Sequence, residues 1–315
     1  LCVDRIKDSE LEGVDLSTWH YALNGAEPVA PEVLRRFQAR FARWGLRPEA
    51  LNPVYGMSEA ALAVTFSDTT APFRATRFDR EALARGRAVE AADGVEIVSV
   101  GVAVPRFEIQ VRDVDGQPAP EGAVGRVWTQ GPSLMTGYLD QPDATARALV
   151  DGWLDTGDLG FVYAGELYLT GRAKDVLILR GRNHAPHPVE QACDGVAGVR
   201  TGCAAAVSHR PEGAAHEHLM VFVEATAEAS DAERAAMPAA CADAVVQATG
   251  LACEQVIVLD PGTLPRTSSG KIRRAETLRQ FLAAELAPPD RVTLLKVAGL
   301  FAKSALGHVK ARRGG

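Results

Sequence analysis

The stretch LTGRAKDVLILRGRNHAPHPVE, residues 169–190, separates two kinds of pattern in the chain. Before it, from Val95 to Thr170, the residues read as strands. Phe107, Ile109 and Val111 alternate with polar residues, Asp115-Gly116 makes a turn, and GRVWTQG follows as a second strand. FVYAGELYL has the form of a hairpin turning at Ala164-Gly165. After Arg172 comes a compact alternating series. VLIL (176–179) precedes a helix near 188–196, strands follow in CAAAVS and HLMVFVEA, and a helix over 230–248 leads to the strand QVIVLD. A lysine loop and a closing helix to 285 complete it. The pattern predicts a small α+β domain of roughly 110 residues that can stand as a unit of its own.

Upstream, APEVLRRFQARFARWG predicts an amphipathic helix. Val33, Leu34, Phe37, Phe41 and Trp44 fall on one stripe, Pro31 sits near its start and Gly45 fits its stop. Residues 67–94 are polar and irregular and look like an insertion. At the other end, 287–315 carries Arg291, Lys296, Lys303, Lys310, Arg312 and Arg313 and no acid beyond Asp290. Its apolar residues can line one helical face, so contact with an anionic membrane surface competes with a solvated terminal helix or linker, which is the favoured reading.

Of the 315 residues 47% are hydrophobic and 23% charged, a globular composition. A net charge of −6 speaks against a general nucleic-acid binder, which needs a basic footprint. The five cysteines are scattered, odd in number and without a CxxC pair, which fits free thiols in a reducing, cytoplasmic setting. No apolar run reaches the ~20 residues of a membrane span, and LCVDRIKDSE does not read as a signal peptide. Opening on Leu rather than Met, the chain is expected to be a fragment.

Five short segments can carry chemistry. LPRTSSGKIRR (264–274) suggests a phosphate cradle, but Pro265 and Ile272 stand where a P-loop needs glycine and a hydroxyl residue. The alternative is a turn capping a helix that starts near Ile272, with Ser268 or Ser269 as the capping oxygen. In ALNGAEPV (22–29), Gly25 and Ala26 would let a flat ring approach the backbone, although small residues beside proline are mostly turns. VYGMSEAAL (54–62) offers Glu59 to a hard cation such as Mg²⁺, or simply to solvent from a surface helix. DGWLDTGDLG (151–160) sets Asp151, Asp155 and Asp158 among glycines, off the calcium-loop spacing but able to accept a ribose diol. The dividing stretch adds Arg172, Lys174, Arg180, Arg182, His184 and His187; two histidines alone are too few for a metal site.

Taken in order, these segments resemble the adenylate-forming superfamily of acyl and aryl acid ligases, over residues 20–285. Within it, LNGAEPV, the 67–94 insertion and RGRNHAPHPVE resemble the fatty-acyl-AMP ligases, since acyl-CoA synthetases usually lack the insertion. The resemblance implies an α/β plus α+β architecture. Residues 1–173 would be the C-terminal part of the large adenylation domain, with mixed sheets and a small β-rich subdomain. Residues 174–286 would be the small mobile domain carrying the catalytic lysine, and 287–315 a basic tail or linker. It also implies ATP-dependent activation of a fatty acid to acyl-adenylate, with Mg²⁺, for an acyl carrier protein or polyketide synthase module. Lys271 would bridge carboxylate and α-phosphate. Gly25, Ala26, Tyr55 and Gly56 would form the adenine slot with Glu27 and Pro28, while Ser58 touches the α-phosphate and Glu59 holds Mg²⁺. Asp158 and Arg172 would hold the ribose, and Lys174 would be the hinge.

The sequence departs from the family pattern in three places. Relatives often have Thr or Ala at the position of Ser58, an aromatic is missing at Ala185, and the Ser/Thr/Gly-rich loop for the β- and γ-phosphates is absent. An acyl-CoA synthetase, and a non-catalytic fragment that binds nucleotide or carrier protein, are the alternatives.

Overall fold

The computed structural model describes residues 2–288. The basic stretch 289–315, with most of the tail read above as a membrane-contact or linker helix, lies outside the described residues. Among the described residues no helix is long and apolar enough to cross a membrane.

The first half is a mixed sheet, a helix and a β-rich layer. The strand Ala22–Asn24 runs parallel to Leu51–Met57, which pairs antiparallel with Leu62–Phe66, and Val102–Ala103 closes the four-stranded sheet. The helix Pro31–Phe41 has proline in its first turn, where a missing N–H costs nothing. A short 3-10 turn, Ala42–Trp44, follows, and Gly45 stops it in the left-handed region at φ 88°. Leu34 and Phe41 are buried and Phe37 and Trp44 pack against the same core. Val33, expected on that stripe, is 55% exposed because it lies at the edge of the apolar face.

The β-rich layer is five-stranded. Glu108–Arg112, Gly125–Gln130, Trp153–Tyr163 and Glu166–Arg172 pair antiparallel in sequence order, with Leu149–Val150 added at the side of Trp153–Tyr163. The hairpin turn at Ala164-Gly165 has φ 50° and 78°, both positive, as a two-residue turn matched to strand twist requires.

Residues 67–94 are more ordered than their polarity suggests. Ala75–Phe78 forms a strand paired with Val95–Val98, and Arg80–Ala84 a short helix whose N-cap Asp79 accepts the Ala82 N–H. The segment is fixed by one aromatic residue. Phe78, fully buried, meets Phe161 edge-on at 4.9 Å between ring centroids and Tyr168 at 5.4 Å. One large ring outweighs the polar neighbours, since burying such a side chain is worth ~1.5–3 kcal/mol.

Beyond Arg172, Val199–His209 and His218–Ala225 pair antiparallel and Gln255–Leu259 adds in parallel, reached through the helix Asp231–Thr249. Side chains alternate across this sheet. Ala204, Ala206, Leu219, Val221 and Val223 face Val189, Cys193, Met237 and Cys241 from the helices Pro186–Cys193 and Asp231–Thr249. Ala205, Val207, Met220 and Phe222 face Leu278 and Phe281 of the helix Arg274–Leu282. Both faces are covered, which explains why the strands read as continuous apolar runs. Ser230 and Glu233 form a reciprocal cap at the start of the long helix.

Two local expectations need correction. The helix expected near 188–196 is Pro186–Cys193, but before it Leu177–Leu179 pairs with Arg182–His184 around Arg180-Gly181, a hairpin hidden by the basic residues of its second strand. The last helix starts at Arg274 after an uncapped Arg273, so neither Ser268 nor Ser269 is its cap.

Candidate functional site

Parallel pairing sets Asn24 opposite Pro53 and so lays Gly25–Pro28 beside Val54–Met57. Contact there is too close for side chains. A Cβ on Gly25 would stand 2.5 Å from the Val54 carbonyl oxygen, and one on Gly56 would stand 1.7 Å from the Leu62 carbonyl oxygen. Ala26 takes φ 70°, so the chain turns away from the strand at once. Glu27 and Pro28 continue that turn, both exposed.

Tyr55 points down from this strand, 7% exposed, and donates a 2.6 Å hydrogen bond to Asp158 Oδ2. Asp158 lies in the long strand Trp153–Tyr163, directly opposite Arg172, whose Nε donates to Asp158 Oδ1 at 2.9 Å. Its backbone N–H donates to Thr156 Oγ1. Between Asp155 and Leu159 the register with Gly125–Gln130 slips, which frees this stretch to turn its carboxylate toward Tyr55. Burial drives the Tyr55 phenol far above its ordinary range, and the Asp158 charge and hydrogen bond add to the rise. Each Asp158 oxygen thus holds one donor at one lone pair, and a carboxylate oxygen has a second to offer.

The structure brings Tyr55, Asp158 and Arg172 together and separates the other two aspartates from them. Asp155 is held by Arg126 at 2.5 and 3.1 Å, and Asp151 sits in a turn at φ 52°. Glu59 lies in the short turn Ser58–Ala60, half-buried, and accepts a 2.9 Å hydrogen bond from the Tyr138 hydroxyl. Ser58 beside it is exposed. Burial, then the Glu59 contact, raises the Tyr138 phenol. Tyr138 is a residue the sequence did not single out, since nothing around it repeats or alternates.

Lys174 and Lys271 are both exposed. Lys271 is carried by a closed loop. Thr267 N–H donates to the Lys271 carbonyl at 2.8 Å, the Lys271 N–H donates to Thr267 Oγ1 at 3.0 Å, and Gly270 supplies φ 88°. Arg266 donates to the Gly270 carbonyl at 2.8 Å and reaches Cys203 Sγ at 3.1 Å, which ties the loop to the sheet. At the loop's exit Arg274 grips Glu190 through Nε and Nη2 at 2.6 and 2.7 Å and Asp175 through Nη1 at 3.0 Å. Sequence reasoning missed this network because its three members lie far apart along the chain.

His184 and His187 do not converge on a metal. Burial lowers both, and His187 Nε2 is buried with no hydrogen-bond partner among the described residues. Among the described residues no group of three or more His, Cys, Asp or Glu side chains is arranged to hold a metal ion.

The chain as a whole is similar to known proteins. The family model for AMP-binding enzymes matches residues 3–139. A Caulobacter vibrioides protein provisionally named an acyl-CoA synthetase is 38% identical over 292 residues, covering 90% of this chain and 50% of that protein. The long-chain-fatty-acid–AMP ligase FadD23 of Mycobacterium tuberculosis is 33% identical over 291 residues, covering 87% of this chain and 49% of its own. A solved structure from a study of fatty acyl-adenylate ligases of E. coli and L. pneumophila matches with a TM-score of 0.82 at 34% identity, over 90% of this chain and 51% of that one. The chain belongs to the AMP-binding family of adenylate-forming acyl ligases, and its mixed α/β sheets are those of that fold. It spans about half the length of the curated relatives it matches.

Proposed function

We propose that the protein activates a fatty acid as its acyl-adenylate, using ATP, and hands the acyl group to a carrier protein. The convergence of Tyr55, Asp158 and Arg172 carries this reading. Asp158 keeps acceptor capacity for the ribose hydroxyls, Arg172 lies beside it, and Gly25, Ala26 and Gly56, where the strands pack backbone to backbone, line the adenine side of the site. A carboxylate oxygen of the fatty acid forms a bond to the α-phosphorus, and the bond from that phosphorus to pyrophosphate breaks. Two anions must be brought together, so the protein's task is alignment and charge neutralisation. Lys271 bridges carboxylate and α-phosphate from its closed loop, and Ser58 contacts the same phosphate. Residues 1–173 and 174–286 are two domains that reorient about Lys174.

Glu59 fits Mg²⁺ as a hard oxygen donor steadied by Tyr138, with substrate phosphates completing the ligands, as Mg²⁺ sites with one protein carboxylate usually do. When bound, Mg²⁺ would neutralise phosphate charge.

The insertion favours an AMP ligase over a CoA ligase. Its helix Arg80–Ala84 lies against the strand Arg182–His184, and the Arg80 guanidinium donates to the Ala248 carbonyl near the end of the helix Asp231–Thr249. Such a brace favours holding the two domains in one orientation. An acyl-CoA synthetase is the second reading, since one relative carries that name. Mass spectrometry after incubation with ATP, Mg²⁺ and fatty acids of several lengths, with and without CoA, separates them. Acyl-AMP with little thioester is expected. Efficient acyl-CoA release would overturn the AMP-ligase reading, and failure to bind an acyl-adenylate mimic would favour a non-catalytic module.

A further inference from the structure

The Lys271 loop and the Lys174 segment are joined by a single side chain. Arg274 follows the loop by three residues, at the first position of the closing helix. Its guanidinium donates twice to Glu190 and once to Asp175, the residue after Lys174. All three side chains are largely removed from solvent, at 20%, 9% and 15% exposure. Glu190 is itself fixed, because its Oε1 also accepts the Ala206 N–H from the edge strand Val199–His209 at 3.0 Å. The backbone next to Arg274 is pinned as well: Arg273 N–H donates to the Pro265 carbonyl at 2.9 Å, which closes the stem of the lysine loop.

The chemistry of the fork makes this more than an anchor. A guanidinium is planar and rigid, so binding two carboxylates through different edges fixes their mutual direction as well as their distance. One of these carboxylates belongs to the sheet-packed helix and the other to the chain entering from Arg172. Rotation at Lys174 therefore moves Asp175, Arg274 and the stem of the Lys271 loop together. Without the Asp175 arm, the loop would follow the sheet while the entering chain lagged.

We propose that Arg274 is a positioning residue for adenylate formation, which locks the Lys271 loop to the Asp175 side of the hinge so that domain rotation places the lysine without lost motion. This rests on Lys271 acting as the bridging lysine. Reach at a phosphate is unforgiving, since a misplacement near 1 Å can cost roughly a hundredfold in rate.

Two variants test the link: Asp175→Ala, which removes one arm and leaves the Glu190 grip, and Arg274→Lys, which keeps the charge and loses the fork. Hydrogen exchange on the 315-residue chain reads the mechanical part. In Asp175→Ala the amides of 266–273 are expected to lose protection by about tenfold while those of 219–223 keep theirs; unchanged protection of the loop would overturn the proposal. The functional part is read in the protein at a length that forms acyl-adenylate. Single-turnover adenylation should fall at least about tenfold in both variants, with KM for ATP within about twofold and transfer from pre-formed acyl-adenylate unchanged. Equal losses in both half-reactions would mean a merely structural arginine and would also overturn it. Lys271→Ala serves as the control for the underlying reading: if it leaves adenylation intact, that reading fails, whereas its loss beside an intact Asp175→Ala removes only Arg274.

Discussion

The Tyr55 hydroxyl and the Asp158 carboxylate, 103 residues apart in sequence, share a 2.6 Å hydrogen bond at a buried position. It joins the sheet carrying the glycine slot to the β-rich layer carrying Asp158. Hydrogen bonds to a charged group are worth about 1.5–3 kcal/mol, so Tyr55→Phe should lower unfolding stability by that amount in urea. A double-mutant cycle with Asp158→Asn should show coupling above about 1 kcal/mol; additive losses would mean that the two groups do not sense each other.

The same bond gives a pH dependence at the alkaline end. Burial, then Asp158, raises the Tyr55 phenol above its ordinary 10.0. The folded state holds that proton more tightly than the unfolded chain, so the stabilisation is complete below pH 10 and is lost as pH rises through the folded value. Urea midpoints should stay level to about pH 9, within the ordinary tyrosine range, and then fall. The fall should be shallower in Tyr55→Phe, with the remainder coming from Tyr138, Tyr163 and Tyr168, which are also raised.

Gly56 and Gly157 separate space from backbone conformation. At Gly56 an added Cβ would lie 1.7 Å from the Leu62 carbonyl oxygen, so the paired strands would have to part. At Gly157 nothing lies within 4 Å and only φ 75° resists a side chain. Gly157→Ala should cost about 1–2 kcal/mol, the left-handed penalty for an L-residue. Gly56→Ala should cost at least about 4 kcal/mol, the range reserved for gross structural conflict. Equal urea midpoints for the two variants would show that the close approach is not there.

These residues also show where the sequence is readable and where it is not. The alternation around Ile109 and Val111, the turn at Ala164-Gly165 and the strand 218–225 follow from local periodicity, and the structure repeats them almost residue for residue. Tyr55, Asp158 and Arg172 carry no shared local signal. Only the order of their motifs suggested a common site, and the register of two separate sheets brings them into contact. Glu190, Arg274 and Asp175 lay beyond reach for a similar reason: charged residues usually mark solvated surface, and nothing local says that these three are buried against one another. The 67–94 segment reads as irregular but holds a strand and a short helix, because its polar average hides one decisive ring, Phe78.

His187 should make the protein acid-sensitive well above the carboxylate range. The residue lies in the helix Pro186–Cys193, and the charges of Glu190, Arg274, Asp194 and Glu27 act on its ring. Burial dominates and lowers its pKa below the ordinary 6.5; Arg274 acts in the same direction and the three carboxylates oppose it. The folded state therefore favours the neutral ring. Stability is complete above pH 6.5 and is lost as pH falls through the folded value. Urea midpoints should drop between about pH 7 and 5.5, around the ordinary histidine range, and drop less in His187→Gln. A His187 C2 proton that titrates by NMR at or above 6.5 would contradict the assignment.

Arg80 and Phe78 divide the insertion's two effects between neighbouring residues. Phe78→Ala empties a site packed by Phe161, Tyr163 and Tyr168, and core losses of this kind cost about 3–5 kcal/mol. Arg80 is exposed, so Arg80→Ala should shift stability by no more than about 0.5 kcal/mol. Its contact crosses from the insertion to the Ala248 carbonyl, so its removal acts on the relation between the two parts of the chain rather than on either core. If the insertion restrains domain rotation, Arg80→Ala in the adenylate-forming protein should raise thioester yield with CoA severalfold and leave acyl-AMP formation unchanged. An unchanged product ratio would mean that the bond restrains nothing relevant to the acceptor, and the preference for AMP ligase over CoA ligase would then have to rest on other residues of the 67–94 segment.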